Sequence, residues 1–462
     1  MSLAEAKAAL AHLDIDENPV SVRAKSRDFF WYSPVLKARL DHITADFVVA
    51  PKSEAEVIEV LRAAYAHNIP VTTRGAGTGN YGQAMPLAGG IILHTKHLNA
   101  VKEIHPGRVI VQPGCLLKDV DAATKAHSAQ ELRMFSSTHA TATIGGFIAG
   151  GSGGVGSCTW GALRDLGNII RLRVVTMEAE PRVLEFTGEE LHRVSHAYGT
   201  NGIITELEMP LAPAYDWVEI FVTTETFPEA ANLAHSLGNE DGILKKLITV
   251  FEAPIAQDYF QRVAPHLQPG QALLGLMIAP HAMDGFLTFL ARSSAKLIYR
   301  SDAHDWPRDP GPVFEYGWNH TTLRALKVDP TITYLQVRYA APDHLARIEE
   351  IRAKLGSEVL QHLELMKENG SSMFAGLSIV KFTTEARLDE IVRIHEDAGC
   401  MVFNPHRYTL EEGGRQSVDD RQLAFKREAD PKGLLNPGKM IAWDDPAFTY
   451  QGVYAYKGMQ PK

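Results

Sequence analysis

Two glycine-rich stretches are the first places where this sequence could do chemistry. The loop RGAGTGNYG, residues 74–82, follows a predicted strand. Closely spaced glycines let backbone N–H groups converge on an anion with no Cβ in the way, so the loop suits a phosphate. What is missing narrows the choice. A Rossmann fingerprint needs a third glycine where Asn80 stands, no helix pattern follows directly, and no acidic residue stands about 20 positions on. The Gly-Lys-Ser/Thr of a Walker loop is also absent. Taken alone, the loop also reads as a simple turn. The second stretch, SSTHATATIGGFIAGGSGGVGSCTWG at 136–161, is rich in glycine, small residues and hydroxyls. Ile144, Phe147, Ile148 and Trp160 are interleaved in it, and flexible linkers rarely carry such anchors. Two such loops could hold a pyrophosphate from both sides, with Thr78, Ser137, Thr138 and Thr143 adding hydroxyl hydrogen bonds.

Loops of this kind need elements that hold their ends. Residues 44–73 read as strand, helix, strand: ADFVVAP closes at Pro51, Ser53 and Glu56 form a capping box, and VIEVLRAAYAHN repeats apolar residues at helical spacing. PVTTRG is then the strand that delivers the first loop. Strands follow at Ile91–His94 and Val109–Gln112, then a helix at about 117–127, then strands in IIRLRVVTM and GIITELEMPL. From about 215 to 403 strand–helix units recur: VEIFVTT with PEAANLAHSL, ALLGLMIA with MDGFLTFLARS, TYLQVRYA with DHLARIEEIRAKL, GLSIVKFT with RLDEIVRIHEDAG. That alternation predicts a sheet with helices on one face, arranged as two ferredoxin-like halves. SVDDRQLAFKREADPKGLLNPGKMIAW reads as a helix and a turn-rich tail.

The segments PKSEAEV, PVTTRGAGTG, ATIGGFIA, YGTNGIIT and DPKGLLNPGKM occur in that order. The succession resembles the FAD-linked oxidases of the vanillyl-alcohol oxidase and p-cresol methylhydroxylase (PCMH) type, nearest the branch of glycolate oxidase flavin subunits and D-lactate dehydrogenases. The resemblance is strong over residues 45–211 and 428–441 and weak across 215–403. It implies an α+β fold: a PCMH-type, two-subdomain FAD-binding domain over residues 1–214, a substrate-binding cap over 215–415, and a C-terminal segment, 416–462, that returns to the FAD domain. It also implies a cofactor map. Arg74, Gly75, Ala76, Gly77, Thr78, Gly79 and Asn80 would wrap the pyrophosphate. Ser137, Thr138, Thr143, Gly145, Gly146 and Ile148 would line the flavin and its diphosphate. Gly202 and Ile203 would meet the adenine end, and Asn436, in the NPGK turn, would sit near the flavin.

The departures from the family pattern are informative. Thr78 stands where a His often carries covalent flavin, and His139 is the approximate match to a second attachment position, so non-covalent FAD is expected. The HxGDGN-like and EHG metal motifs are replaced by SSMFAGLSI and NPHRYTLEEGG. Only His406 keeps a matching place, and one His cannot hold a divalent metal, so no metal is expected. The reaction implied is oxidation of a small CH–OH or CH–NH substrate, a hydroxy acid or related compound, by hydride transfer to flavin. It needs a base, which His suits, and a cation for any carboxylate, which Arg suits. The segment EYGWNHTTLRALK offers His320, and FNPHRYTLEE offers His406, Arg407 and Tyr408; His406 is the first choice. The other readings are an NADPH-dependent reductase of the UDP-N-acetylenolpyruvoylglucosamine reductase type and a non-catalytic flavin-binding protein.

Composition sets the outer bounds. A chain of 462 residues is too long for one ordinary core. Its 46 basic and 55 acidic residues give a net charge of -9 without a basic run, which argues against nucleic acid or anionic lipid as partner. Nothing approaches the ~20 apolar residues of a membrane span. The N-terminal MSLAEAKAALAHL reads as an acidic amphipathic helix rather than a signal peptide, and Cys115, Cys158 and Cys400 form no framework, so a reducing, cytoplasmic setting is expected. The expected partners are a small-molecule substrate and an electron acceptor, either a quinone or a protein, with a homodimer left open.

Overall fold

Strands Phe47–Val49 and Ile91–His94 are short, apolar and almost wholly buried, and they pair in parallel with each other and with Val71–Arg74, whose Thr73 and Arg74 are half-buried toward the first glycine loop. With Ile15–Asp16 at the edge they make a four-stranded sheet. The helix Glu54–His67 crosses it and buries Val57, Val60, Leu61 and Ala64. Ser53 caps this helix through Glu56 N–H, but the Glu56 carboxylate reaches Lys52 N–H, so the expected capping box is only half made. Asn68 ends the helix in the left-handed region and turns the chain into Val71–Arg74, the strand that carries the first glycine loop. The computed structural model describes residues 3–303, 306–415 and 417–449, of Arg415 the backbone alone.

A second sheet, of six strands, is antiparallel. Its centre is the long strand Ile203–Pro213, flanked by Arg108–Val111 and Arg171–Val175. The helix Leu117–Ser128 and the short helix Ile144–Gly150 pack on it, with Ile144, Phe147 and Ile148 buried in the same core as Val109, Leu172 and Leu207. The second glycine stretch is thus ordered by its apolar anchors. The first loop leaves the first sheet and the second loop docks on the second, so the two meet where the sheets meet.

Residues 218–403 form one eight-stranded antiparallel sheet. Strands Val218–Thr224, Lys245–Phe251, Ala272–Ile278 and Lys296–Arg300 form one half, and Gln336–Tyr339, His362–Glu368, Ser371–Gly376 and Met401–Phe403 the other. Within each half the strands run fourth, first, third, second, and the halves join through their second strands, Lys245–Phe251 and His362–Glu368. These are the two ferredoxin-like halves, fused into one sheet. Strand alternation then separates two faces. Ile248, Val250, Leu363 and Leu365 pack on helices Phe227–Gly238, Met283–Leu290, His344–Leu355 and Glu385–Asp397. Leu247, Phe251 and Leu273 face the other way, into the core shared with the glycine-loop side.

The tail returns to the first sheet. Val71 N–H donates to Leu434 O at 2.8 Å and Asn436 N–H to Val71 O at 2.9 Å, so residues 434–436 run as an extra edge beside the strand that feeds the first loop. No helix among the described residues is long and apolar enough to cross a membrane.

Candidate active site

The two glycine loops close on each other. A Cβ on Gly75 would lie 2.1 Å from Thr143 Oγ1, so only glycine allows this approach. Gly77 has φ +69°, and a Cβ there would lie 2.2 Å from the Arg74 guanidinium. The junction opens into a large cavity. Gly75, Ala76, Gly77, Thr78, Gly79 and Asn80 line one side of it. Ser137, Thr138, Thr143, Gly145 and Gly146 line the second side, and Gly202 the far end. Among the described residues, the N–H groups of 76–80 donate to no protein acceptor, so a run of main-chain donors borders the space. Converging free N–H groups with hydroxyls and no bulk between them fit the diphosphate of a dinucleotide.

Four predicted cofactor residues stand one layer behind this wall. Arg74 turns away and donates to Arg27 O at 2.5 Å and Ala76 O at 3.2 Å, bracing the loop from outside. Ile148 and Ile203 are fully buried core residues, and it is the neighbouring Ile204 that reaches the cavity. The Asn436 amide donates to Gln83 O at 2.8 Å and Tyr198 O at 2.6 Å, tying two cavity-lining segments to the tail. Lys439, next along the tail, donates to Gly82 O at 2.6 Å. Burial pulls its ammonium well below the usual lysine range, and burial pushes the nearby Asp28 carboxyl above the usual carboxylate range, against the opposing pull of the Ala84 N–H bond and of each group's charge on the other.

The cap supplies the opposite wall through Trp318, Asn319, His320, Gln336 and Phe403. Trp318 holds a left-handed φ of +51° immediately before the helix Asn319–Val328. The buried Glu364 carboxylate fixes it by accepting Trp318 N–H at 2.5 Å, and His362 in turn bonds Glu364 at 2.9 Å. Strain of this kind persists only where the surroundings enforce it, and it clusters at functional sites. His320 follows on the first turn of that helix. Its pKa is pushed down to about 4, first by burial and then by the Arg324 charge, so the imidazole is neutral near pH 7.

The segment expected to supply the base does not reach the cavity. His406 is 1% exposed, with Nδ1 bonded to Ser33 Oγ at 2.7 Å and Nε2 donating to Tyr334 O at 2.9 Å. Both ring nitrogens are engaged, and burial pushes its pKa down to about 3. Arg407 pairs with Glu385 and Asp389 at 3.0 and 3.2 Å. Tyr408 packs on the Leu36–Leu40–Met85 cluster with Lys439 over its ring. Of the four catalytic candidates, only His320 lines the cavity.

Sequence reasoning missed other wall residues. Asp28, Phe29 and Tyr32 come from RDFFWYS, an aromatic cluster beside an acid that carried the available signal. His196 and Tyr198 both have φ +53°, and their N–H groups clamp Ile148 O and Ala149 O. The adjoining YGTNG motif could have pointed to them. His139 is turned off the wall: its Nε2 bonds Asp121 at 2.8 Å and its ring packs on Phe135. No group of three or more His, Cys, Asp or Glu among the described residues is placed to hold a metal ion.

Comparison with known proteins agrees with this geometry. Residues 45–185 match the FAD binding domain family. An FAD-linked oxidoreductase of Mycobacterium tuberculosis is 30% identical over 37% of this chain and 38% of its own, so that match spans well under two thirds of the relative's length. The glycolate oxidase subunit GlcD of Bacillus subtilis is 31% identical over 86% of this chain and 89% of its own length. An alkyldihydroxyacetonephosphate synthase structure shares the fold, with a TM-score of 0.69 at 14% identity over 92% of this chain and 82% of that one. Loops, sheet and cap therefore have one explanation: the chain belongs to the FAD-linked oxidoreductase family that includes the glycolate oxidase subunit GlcD.

Proposed function

We propose that this protein oxidises a small CH–OH or CH–NH substrate with non-covalently held FAD, and that His320 accepts the substrate proton. The observation that carries the reading is the opposition of two walls: main-chain donors of 76–80 on one side, and His320 on the cap side. When bound, FAD supplies the hydride acceptor. The chain's own groups do the rest. The loop N–H groups of 76–80 and the hydroxyls of Thr78, Ser137 and Thr138 would hold the diphosphate. Trp318 and Phe403 would exclude water above the reacting carbon. His320, held neutral by burial, is in the form that can take a hydroxyl proton as C–H is lost. Non-covalent attachment is supported by Thr78, which has no nucleophilic ring nitrogen, and by His139, whose Nε2 is committed to Asp121. Electrons would leave the reduced flavin for oxygen, a quinone or a partner protein. The buried free thiols of Cys115, Cys158 and Cys400 support a cytoplasmic setting. The test is anaerobic mixing of the FAD-loaded protein with hydroxy acids, amino compounds, aromatic alcohols and NADPH. Bleaching of the visible flavin band by a CH–OH or CH–NH donor is expected, and bleaching by NADPH alone would move the protein to the reductase class.

A further inference from the structure

The helix Asn319–Val328 carries His320, yet nothing local sets where it starts. Trp318 stands at its N-cap position, and its side chain caps no N–H group. A bulky residue rarely adopts φ +51° and ψ -142°, so the bend must be enforced from outside.

The enforcement comes from the seam where the two ferredoxin-like halves join. Strand Lys245–Phe251 pairs there with His362–Glu368, and Thr249 lies opposite Glu364. Strand alternation puts His362 and Glu364 on the face away from Leu363 and Leu365. His362 is fully buried and Glu364 is 1% exposed. One carboxylate oxygen, Glu364 Oε1, accepts Trp318 N–H at 2.5 Å and bonds His362 Nε2 at 2.9 Å. His362 Nδ1 has no partner among the described residues, so the ring hydrogen sits on Nε2 and points at the carboxylate. Thr249 Oγ1 and Thr321 Oγ1 stand 3.1 and 3.4 Å from the same nitrogen. Thr321 also donates to Tyr316 O at 2.5 Å, which ties the first helical turn to the chain ahead of the bend. Gly317 makes room for this arrangement: a Cβ there would lie 2.6 Å from Glu364 Oε1.

His320 follows the bend directly. Its N–H donates to Gly317 O at 3.1 Å, and its imidazole bonds the Glu315 main chain, so the ring is carried by the turn 315–319. Neither His362 nor Glu364 lines the cavity, and both reach it only through residues 317–321. We infer that Glu364 is a positioning residue for His320: held by His362, its carboxylate pins the bend at Trp318 and so starts the helix where His320 falls on the cavity wall. The inference rests on the reading of His320 as proton acceptor and extends it to a residue behind the wall. A reacting group displaced by about 1 Å can lose about 100-fold in rate, so a device of this kind has a measurable effect.

The test compares FAD-loaded wild type with Glu364→Leu, Glu364→Gln, Gly317→Ala and His320→Ala. Leucine removes the acceptor and glutamine keeps an uncharged one. Alanine at 317 pushes the carboxylate off Trp318 N–H while leaving residue 364 unchanged, so it decides the matter if Glu364→Leu does not fold. Hydrogen exchange on peptides covering 317–322 is the first readout, because it needs no turnover. Glu364→Leu and Gly317→Ala should exchange at least ~10-fold faster there and Glu364→Gln within ~3-fold of wild type, with the helix Glu385–Asp397 unchanged in all. Anaerobic flavin reduction by the best-bleaching donor is the second. Its limiting rate should fall at least ~10-fold in Glu364→Leu and Gly317→Ala, with apparent donor affinity within ~3-fold, and Glu364→Gln should stay within ~3-fold on both. The double variant His320→Ala/Glu364→Leu should be no slower than His320→Ala, since the second change acts through a base already removed. Losses that multiply in the double variant would overturn the inference. So would wild-type exchange at 317–322 in folded Glu364→Leu or Gly317→Ala, or wild-type reduction by either when His320→Ala is slow. If exchange rises but His320→Ala reduces its flavin at the wild-type rate, the proton-acceptor reading falls and the hold of Glu364 on the helix start stands, which separates the two.

Discussion

The segments EYGWNHTTLRALK and FNPHRYTLEE look alike in sequence, and the fold uses them in opposite ways. Each presents a histidine, an arginine, a tyrosine and an asparagine. In the first, His320 opens a helix whose preceding residue, Trp318, is bent into the left-handed region against Glu364, and the imidazole ends on the cavity wall. In the second, His406 is a strut between Ser33 and Tyr334, with neither ring nitrogen left for a substrate. The arginines divide differently: Arg324 is stacked on Tyr316 and Arg407 is tied into two ion pairs, and neither lines the cavity. Residue type states what a loop is able to do. Which groups are already satisfied by distant parts of the chain decides what it does.

The contrast is sharpest in kinetics. His320→Ala should slow flavin reduction by at least ~100-fold while FAD stays bound, the loss expected when a general base is removed. Anaerobic stopped-flow reduction by the best-bleaching alcohol checks this, and a rate within a few-fold of wild type would remove His320 from the reaction. The smaller effect belongs to His406. His406→Ala should leave the reduction rate per bound FAD within a few-fold, yet lower unfolding stability by about 1–3 kcal/mol, because Ser33 and the Tyr334 carbonyl lose a buried partner. Its pH signature has a definite sign. The folded-state pKa is depressed to about 3, below the unfolded value of about 6.5, so the folded chain binds fewer protons in that window. The contribution is complete above about 6.5 and is lost as pH falls through about 3. The melting temperature of wild type should therefore fall more steeply than that of His406→Ala as pH drops from 7 to 4. Parallel curves would show that His406 is not buried as the neutral form.

Much of the flavin side was legible because glycine acts locally. RGAGTGNYG and ATIGGFIA shape their own backbone, and the cavity wall they form is mostly main chain. The two ferredoxin-like halves were legible for the same reason, since alternation along each strand and the helix that follows it are local signals. What the sequence did not disclose is long-range. His406 is satisfied by Ser33 and Tyr334, 373 and 72 positions away, and nothing in NPHRY announces either partner. Ile148 and Ile203 lie within the right motifs but point to the core, because the motif marks a segment and the pleat or helix phase decides the side. Asn436, which the family pattern puts near the flavin, stands behind the cavity wall, where its amide braces Gln83 and Tyr198. Asp28, Phe29 and Tyr32 reach the wall from an aromatic N-terminal cluster whose role only the closed fold defines.

The claim on which the rest depends is that the junction of the two glycine loops is the FAD site. The measurement that tests it most directly is the flavin content of wild type and Gly75→Val purified side by side, with melting curves to compare their folding. A valine at 75 would place its Cβ 2.1 Å from Thr143 Oγ1 and wedge the loops apart. The account predicts a yellow wild-type protein that releases its FAD into the supernatant on acid precipitation, and a folded Gly75→Val protein that is colourless. A folded Gly75→Val protein as yellow as wild type would contradict it.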